Sequence, residues 1–506
     1  MTGARAGGLT ALTGALLAGS LSISSTPGEA PTPTVPRVTA PALAGPRADS
    51  PMPDQATLAA RLAGPLGNPA LGSPAGIVVD ALSGKVLFDV RSTVPTAPAS
   101  TLKTAVAAAA LRTFAPDARL TTRVVYLPPA GASTGAGGAT GPATPTGAAS
   151  TGTASTGGTL WLVGAGDPTL TAAADPTGYP ASTSARLSTL AAQVRAAGIT
   201  SVDQVVGDGS LFSGPGTAPG WNDTYVAEGD VTPVSALEVD AGRSQPGSIG
   251  PRSPTPDAAA AAAFATALRG AGVSVGSTGT GAADPAARPV ATADSPPIPM
   301  LVERMLTDSD NDLAESLGRL VAHARALPTT FAGATAAVGK ALADLGIDTT
   351  GMSLADVSGL SINNLIPPRT VIEILRTATL PHHPELRTLL TGLPVAGFSG
   401  TLGDRYGGVD TAAAAGDVRA KTGSLRIVTS LAGELVDADG RLLLFGFFAP
   451  VQESPMAKAS LDRAAAALAS CCGSADAVRA GGKPASDAGT PSAGETIAAP
   501  SPPPAG

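Results

Sequence analysis

The 506-residue sequence is poor in the residues that most often carry chemistry. It has two cysteines, the adjacent Cys471 and Cys472, and three histidines, His323, His382 and His383. Two neighbouring thiols cannot build a disulfide framework and lack zinc-ligand spacing; packed or free thiols are the default expectation for them, with a vicinal disulfide as the alternative. Three histidines are too few for a His-rich metal site and leave a Ser–His–Asp triad little to draw on. Aromatic residues make up 3% and charged residues 14%, the latter well below the usual quarter. The net charge of −7 is spread along the chain, which argues against a nucleic-acid surface. No metal or organic cofactor is expected. Alanine, glycine and proline are abundant instead, with 62 Gly and 47 Pro. The length allows about two to four compact units.

Both ends read as non-globular. Behind Arg5, the run Leu9–Ile23 has the character of a signal-peptide apolar region, too short and too Ala/Gly-rich for a transmembrane helix. Export is therefore expected, with cleavage near Ala42-Leu43-Ala44 or retention as an N-terminal membrane anchor. Residues 26–53 are Pro-rich and read as an extended linker, and 473–506 as a disordered tail. A third low-complexity tract, 128–158, separates the strand-like runs Thr122–Leu127 and Thr159–Val163. It reads as an overgrown hairpin loop, tolerable because loop-closure entropy grows only with the logarithm of length.

Between the ends, Ala75–Asp89 reads as two strands around Ser83-Gly84, followed by a helix over Thr101–Phe114. Residues 120–288 read as a separate α/β insert, with helices at Leu187–Ala197 and Pro256–Gly270 and strands at Ser201–Val206 and Val273–Val275. Helices at Ile298–Leu306, Leu313–His323 and Thr370–Thr377 follow. Strands come next at Asp417–Thr422, Ile427–Asp437 and Arg441–Pro450, then a last helix at Ala457–Ser470. Strands at both ends and helices between predict one discontinuous domain, 54–119 with 289–472, interrupted by the insert.

Three short motifs carry chemistry. In Ser100-Thr101-Leu102-Lys103, i,i+3 spacing on a helix sets a hydroxyl and an amine on one face. Serine is a weak nucleophile without an adjacent base, and lysine becomes a base when burial lowers its pKa. Ser309-Asp310-Asn311 lies in the polar break between two helices, where Ser309 could relay a proton and Asn311 could hold both a lysine and a substrate carbonyl. Lys421-Thr422-Gly423, followed by Ser424, lies on a strand. There Lys421 supplies positive potential, Thr422 can bind a carboxylate and Gly423 lets a ligand lie against the strand. Singly, each has an ordinary reading: a solvated helix face, a helix cap, an edge-strand lysine. Together and in this order they form the trio of the β-lactamases and penicillin-binding proteins.

The chain resembles the class C low-molecular-weight penicillin-binding proteins, the D-alanyl-D-alanine carboxypeptidase/endopeptidase family S13 (penicillin-binding protein 4 type). The resemblance rests on the trio and on Leu162–Leu170, Asp208-Gly209-Ser210, Gly220-Trp221, Pro233–Leu237, Asp308–Glu315, Ser358–Ser361, Gly400-Thr401-Leu402 and Val418–Leu425. It implies an α+β fold, a β-lactamase/transpeptidase-like domain with an antiparallel sheet flanked by helices, a helical cluster and a large α/β insert. It implies a serine D-Ala-D-Ala carboxypeptidase or endopeptidase acting on peptidoglycan stem peptides, with β-lactams as covalent inhibitors. Ser100 would be the nucleophile and Lys103 its base, with Ser309, Asn311 and Lys421 around them. Thr422, Gly423 and Ser424 would seat the substrate, and the N–H groups of Ser100 and Ser424 would meet the oxyanion. Asp167 is implied to touch the substrate from the insert, although an Asp before Pro168 also suits a surface turn. Two positions depart from the family's pattern: Val357 stands where it often has glycine, and Ile362 where it often has an arginine that holds the polar end of the stem-peptide side chain. Two other readings share the fold. One is a serine β-lactamase, which the long insert and the lack of a Glu-x-x-x-Asn loop before Ser309 disfavour. The other is a non-catalytic envelope scaffold.

Overall fold

The computed structural model describes residues 47–130, 156–173, 184–245 and 247–472. The expected signal or anchor, the C-terminal tail and most of the 128–158 tract lie outside the described residues.

In chain order, α1 (Gln55–Leu66) leads into the hairpin β1 (Ala75–Asp80) and β2 (Val86–Val90). A 3-10 turn, Ala99–Leu102, then runs into α2 (Lys103–Thr113). Next come β3 (Thr121–Leu127), β4 (Thr159–Val163), α3 (Leu187–Ala196), β5 (Ser201–Asp208), α4 (Tyr225–Glu228), α5 (Pro256–Gly270), β6 (Ser274–Thr280) and β7 (Arg288–Asp294). Five helices follow: α6 (Ile298–Thr307), α7 (Asn311–Ala324), α8 (Phe331–Asp344), α9 (Pro368–Thr379) and α10 (Arg387–Thr391). The described chain closes with β8 (Arg419–Leu425), β9 (Val428–Val436), β10 (Leu442–Ala449) and α11 (Pro455–Ala469).

The first sheet is antiparallel throughout, in the order β2-β1-β10-β9-β8, so strands from the two ends of the chain meet at the β1–β10 pair. Its central strands are apolar at successive positions, so alternation sends an apolar side chain to each face. Ile77, Val79, Leu444 and Phe448 face α2 and the helices α6–α9. Val78, Leu443, Phe445 and Phe447 face α1 and α11. An antiparallel sheet with one wet face would alternate with polar residues; this one is covered on both sides.

Helix α2 lies at the centre of the helical cluster, and every residue from Lys103 to Leu111 is buried. Its run of alanines makes this workable, because small side chains let α6, α7, α8 and α9 all approach it. A lysine at its first turn is thereby removed from water by the fold itself.

The second sheet, in the order β6-β5-β4-β3-β7, is mixed: β4–β5–β6 are parallel, while β3 runs antiparallel to β4 and β7. Helices α3 and α5 cover one face. The β3–β4 pairing is that of the expected hairpin. Three differences from the sequence reading stand out. Strand β7 pairs with β3 across Arg288–Asp294, so the second sheet extends beyond residue 288; its mostly polar and alanine side chains gave no strand signal. Helices α1 and α8 were not anticipated. The buried face of α8 is largely alanine (Ala334, Ala337, Ala341), which weakens the apolar periodicity that marks a helix. Cys471 and Cys472 are joined in a vicinal disulfide rather than left as thiols. Among the described residues no helix is long and apolar enough to cross a membrane.

Candidate active site

The site lies where the 3-10 turn that starts α2 meets the β8–β9 face of the first sheet and the N-terminus of α7. The turn is seated on the sheet by its own backbone. The carbonyl of Pro98 accepts hydrogen bonds from Ser430 Oγ at 2.8 Å and Thr101 Oγ1 at 2.7 Å. Gly423 lies opposite Ser430 in the register. A Cβ on Gly423 would overlap Ser430 Oγ and come within 2.7 Å of the Pro98 carbonyl oxygen, so glycine is what allows the strand this close. From the other side Gly359 (φ +90°) backs the turn; a Cβ there would overlap the Ala99 carbonyl and come 3.1 Å from Ser100 N. Ala99 itself has φ +48°. A left-handed non-glycine residue just before the serine is a strained conformation that the two glycine contacts hold in place.

Lys103, fully buried, is the hub. Its Nζ lies 3.0 Å from Ser100 Oγ, 2.6 Å from Asn311 Oδ1 and 2.7 Å from the Ser358 carbonyl oxygen. Asn311 is oriented in turn by donating Nδ2–H to the carbonyl of Asp230, at 2.9 Å. Burial pushes the Lys103 ammonium down from 10.5 to about 8, against the opposing pull of Asp356, Asp310, Glu315 and Asp312. Lys421, also fully buried, donates to Ser309 Oγ at 2.9 Å and to the Thr422 carbonyl at 3.0 Å. Burial, then the nearby Lys103 and Arg405 charges, depress its pKa well below the usual lysine value. Ser309 has φ +58° in the tight link between α6 and α7, where Asp310 caps α7 by accepting from Leu313 N–H at 3.0 Å. Thr422 Oγ1 and Thr401 Oγ1 lie 2.8 Å apart.

Strand β8 ends the first sheet, and its outer edge is partly covered. Ala420 N–H donates to Pro394 O at 2.9 Å. In an antiparallel ladder, alternate residues turn their N–H and C=O groups to opposite sides. Thr422 and Ser424 therefore point the same way as Ala420, toward the cleft. This leaves main-chain groups there for an extended peptide to pair with.

The structure thus brings Ser100, Lys103, Ser309, Asn311, Lys421, Thr422, Gly423 and Ser424 together. Asp167 makes no hydrogen bond to any of them. Asp167 is neither a surface turn nor open to a ligand. It is 2% exposed, and its Oδ1 accepts from Thr169 N at 2.9 Å and Thr169 Oγ1 at 2.6 Å. The chain around it is folded against α7, where Ser316 Oγ donates to the Gly166 carbonyl. Burial raises its pKa to about 6.

Several residues that shape the site had no role in the sequence reading. Asp356 Oδ1 accepts from Gly359 N (3.0 Å) and Asn364 Nδ2 (2.6 Å), and its Oδ2 from Ser361 N (2.6 Å) and Trp221 Nε1 (2.7 Å). Glu315 Oε1 accepts from Val357 N (3.1 Å) and Ser358 N (2.7 Å). Val357 is buried against α7, where Gly318 has no side chain; a Cβ on Gly318 would sit 2.6 Å from Val357 Cγ2. The extra bulk of Val357 is thus accommodated by a glycine on the facing helix. Ile362 is 47% exposed and, with Val94, Leu365 and Ile427, lines an apolar groove of about 390 Å³.

An α+β fold of this kind, with a serine bonded to a buried lysine and a second lysine across the cleft, defines the serine acyl-transferring class that penicillin recognises. The chain belongs to the D-Ala-D-Ala carboxypeptidase 3 (S13) family, which it matches over residues 58–137, 143–249 and 243–469. It is 40% identical to a carboxypeptidase of Mycobacterium tuberculosis over 427 residues, 83% of this chain and 85% of that protein. It is 38% identical to carboxypeptidase DacB of Mycolicibacterium smegmatis over 429 residues, 84% and 86% of the two chains. In fold it is similar to penicillin binding protein 4 of Haemophilus influenzae, with a TM-score of 0.65 at 23% identity over 82% of this chain and 98% of that one.

Proposed function

We propose that this protein is a serine-type D-alanyl-D-alanine carboxypeptidase of the cell envelope. It would remove the terminal D-alanine of peptidoglycan stem peptides through an acyl-enzyme on Ser100, and β-lactams would acylate the same hydroxyl. The observation that carries this reading is the bonding of Lys103. A neutral amine has two N–H groups and one lone pair. Asn311 Oδ1 and the Ser358 carbonyl can only accept, so they take the two N–H groups, and the lone pair is left facing the Ser100 hydroxyl at 3.0 Å.

Ser100 Oγ attacks the carbonyl carbon of the penultimate D-alanine while its proton passes to Lys103 Nζ. The oxyanion is met by the N–H groups of Ser100 and Ser424; a preorganised donor of this kind is typically worth about 3 kcal/mol. Collapse breaks the C–N bond, and the leaving amine takes the proton from Lys103 with Ser309 as relay. Water then attacks the ester, gives its proton to Lys103 and restores the Ser100 hydroxyl. Lys421 supplies positive field, and Thr422, paired with Thr401, seats the terminal carboxylate. Cleavage of a cross-link is the same reaction with a bulkier leaving amine. Asp167 has no part in substrate binding in this scheme. The second sheet and its helices, residues 120–294, form a unit inserted between the first and second motifs.

Mass spectrometry of the protein incubated with penicillin tests the reading. The expected result is a one-to-one covalent adduct on the peptide carrying Ser100, absent in Ser100→Ala, with D-alanine released from a D-Ala-D-Ala pentapeptide by the wild type only. An adduct elsewhere, or none, overturns it.

A further inference from the structure

Lys103 keeps its lone pair on Ser100 only while both of its N–H groups have fixed acceptors. One acceptor is a side chain, Asn311. The other is a main-chain atom, the Ser358 carbonyl, which has no side chain of its own to steer it. Two residues hold the loop there: Asp356 accepts from Gly359 N–H, in the carbonyl's own peptide, at 3.0 Å, and the two peptides that lead into Ser358 are fixed by Glu315. Its Oε1 takes the N–H groups of Val357 and Ser358 at 3.1 and 2.7 Å, and it is wholly buried. Glu315 lies four residues beyond Asn311 on α7, so the two share one face of the helix. That face therefore governs both acceptors of the Lys103 amine, one directly and one through the loop.

We infer that Glu315 is a positioning residue for Lys103, fixing the Ser358 carbonyl so that the amine lone pair stays aimed at the Ser100 hydroxyl. The inference rests on the acyl-enzyme reading above. Two observations separate it from a purely structural role. The loop keeps other ties when Glu315 is replaced, because Asp356 accepts from Gly359 N, Ser361 N and Asn364 Nδ2. Glu315 also caps the two N–H groups at a disadvantage: its second oxygen, Oε2, is buried without a hydrogen-bond partner, where a neutral acceptor would avoid burying a carboxyl group. Its charge also bears on the base. Lys103 faces Asp356 from the loop, Asp310, Asp312 and Glu315 from the α7 end, and Lys421 from β8. Glu315 faces Asp356 and, one turn along α7, Arg319.

The test is the rate of acylation by a fluorescent penicillin between pH 5.5 and 9.5, scaled to competent sites and split into affinity and acylation step. Glu315→Ala should slow the acylation step by about ten- to a hundredfold with the noncovalent affinity unchanged. Glu315→Gln should restore most of that rate, because its amide oxygen can accept both N–H groups. It should also move the bend of the profile to lower pH, because burial raises the Glu315 carboxyl to about 7 and above that pH a negative charge favouring the Lys103 cation is gone. A folded Glu315→Ala variant that acylates like the wild type overturns the inference. If that variant does not fold, Glu315→Asp decides, because its shorter side chain keeps the charge but withdraws the acceptor from the two N–H groups: acylation at the wild-type rate overturns the inference, and a slowed acylation step with unchanged affinity supports it. Wild-type protein that gains no adduct on Ser100 would sink the acyl-enzyme reading itself, a result distinguishable from either variant's behaviour.

Discussion

The sharpest consequence of the site is its pH dependence. The base form of Lys103 is the neutral amine, and burial brings its pKa to about 8 from 10.5. At pH 7 an ordinary lysine would be neutral in about one molecule in three thousand, whereas at a pKa near 8 about one in ten is. The gain is about 300-fold in competent enzyme, or about 3 kcal/mol. The acylation rate constant should therefore climb tenfold per pH unit through the acid range, bend near pH 8 and level off above it. The same shift makes stability depend on pH as well. Between about 8 and 10.5 the unfolded chain holds the Lys103 proton and the folded chain does not, so this group makes the fold more stable as pH rises through that window. Stopped-flow acylation by a fluorescent penicillin reads the first effect directly. A rate flat from pH 6 to 9, or one still rising tenfold per unit at pH 10, would refute the role assigned to burial. Lys103→Arg adds a control, because a guanidinium stays protonated throughout; it should abolish acylation at every pH while the protein stays folded.

Further predictions follow from packing around the turn. Gly423→Ala should force β8 away from the Pro98 carbonyl and Ser430 Oγ, with a cost of about 1–3 kcal/mol in denaturant unfolding and a larger loss of acylation than of stability. Gly318→Ala should strike Val357 Cγ2 and displace the loop that carries the Ser358 carbonyl. Adding Val357→Gly to it should recover both the melting temperature and the acylation rate. A double variant no better than Gly318→Ala alone would show that the two positions are not coupled.

How much of this was legible in the sequence depends on whether a residue acts through its side chain or through the backbone it holds. Ser100, Lys103, Ser309, Asn311, Lys421 and Thr422 carry reactive or polar side chains at recognisable spacings, and the sequence reading expected them in one cleft, where the structure brings them together. Glu315, Asp356, Trp221 and Thr401 stand in segments that also carried the family resemblance, yet no chemistry could be read from them. The first two work by holding main-chain N–H groups, and Trp221 reaches its partner from 135 positions away. Asp167 shows the opposite failure. Its turn-forming sequence suggested an accessible carboxylate, but nothing in Gly166-Asp167-Pro168 records that α7 packs over it. Most strands and helices built on Leu, Ile, Val and Phe were found close to their observed bounds, but α1, whose buried face is Leu58, Leu62 and Leu66, was missed. Those built on alanine or on polar edge positions, α8 and β7, carried too little apolar contrast to be seen.

The segment between β5 and α5 is tied into the site, because its backbone and side chains complete hydrogen bonds with residues around Ser100 and Lys103. Trp221 Nε1 donates to Asp356 Oδ2, and the Pro219 carbonyl accepts from Ser361 Oγ at 2.6 Å. The Asp230 carbonyl accepts from Asn311 Nδ2, and Thr232 N–H donates to Asp312 Oδ1 at 2.8 Å. Asp312 also pairs with Arg252 at 3.1 Å, and the three side chains Asp356, Asp312 and Arg252 are buried. Stripping away the segment would leave both carboxylate oxygens of the buried Asp312 without these partners, each costing about 1–3 kcal/mol, and would take one of the two bonds from Asp356 Oδ2. It would also free the amide that aims Asn311 at Lys103. That segment and Ser100 are therefore parts of one hydrogen-bonded network, through Asn311 and Lys103. The order of the motifs along the chain, with the insert between the first and the second, places that network between the elements it must join.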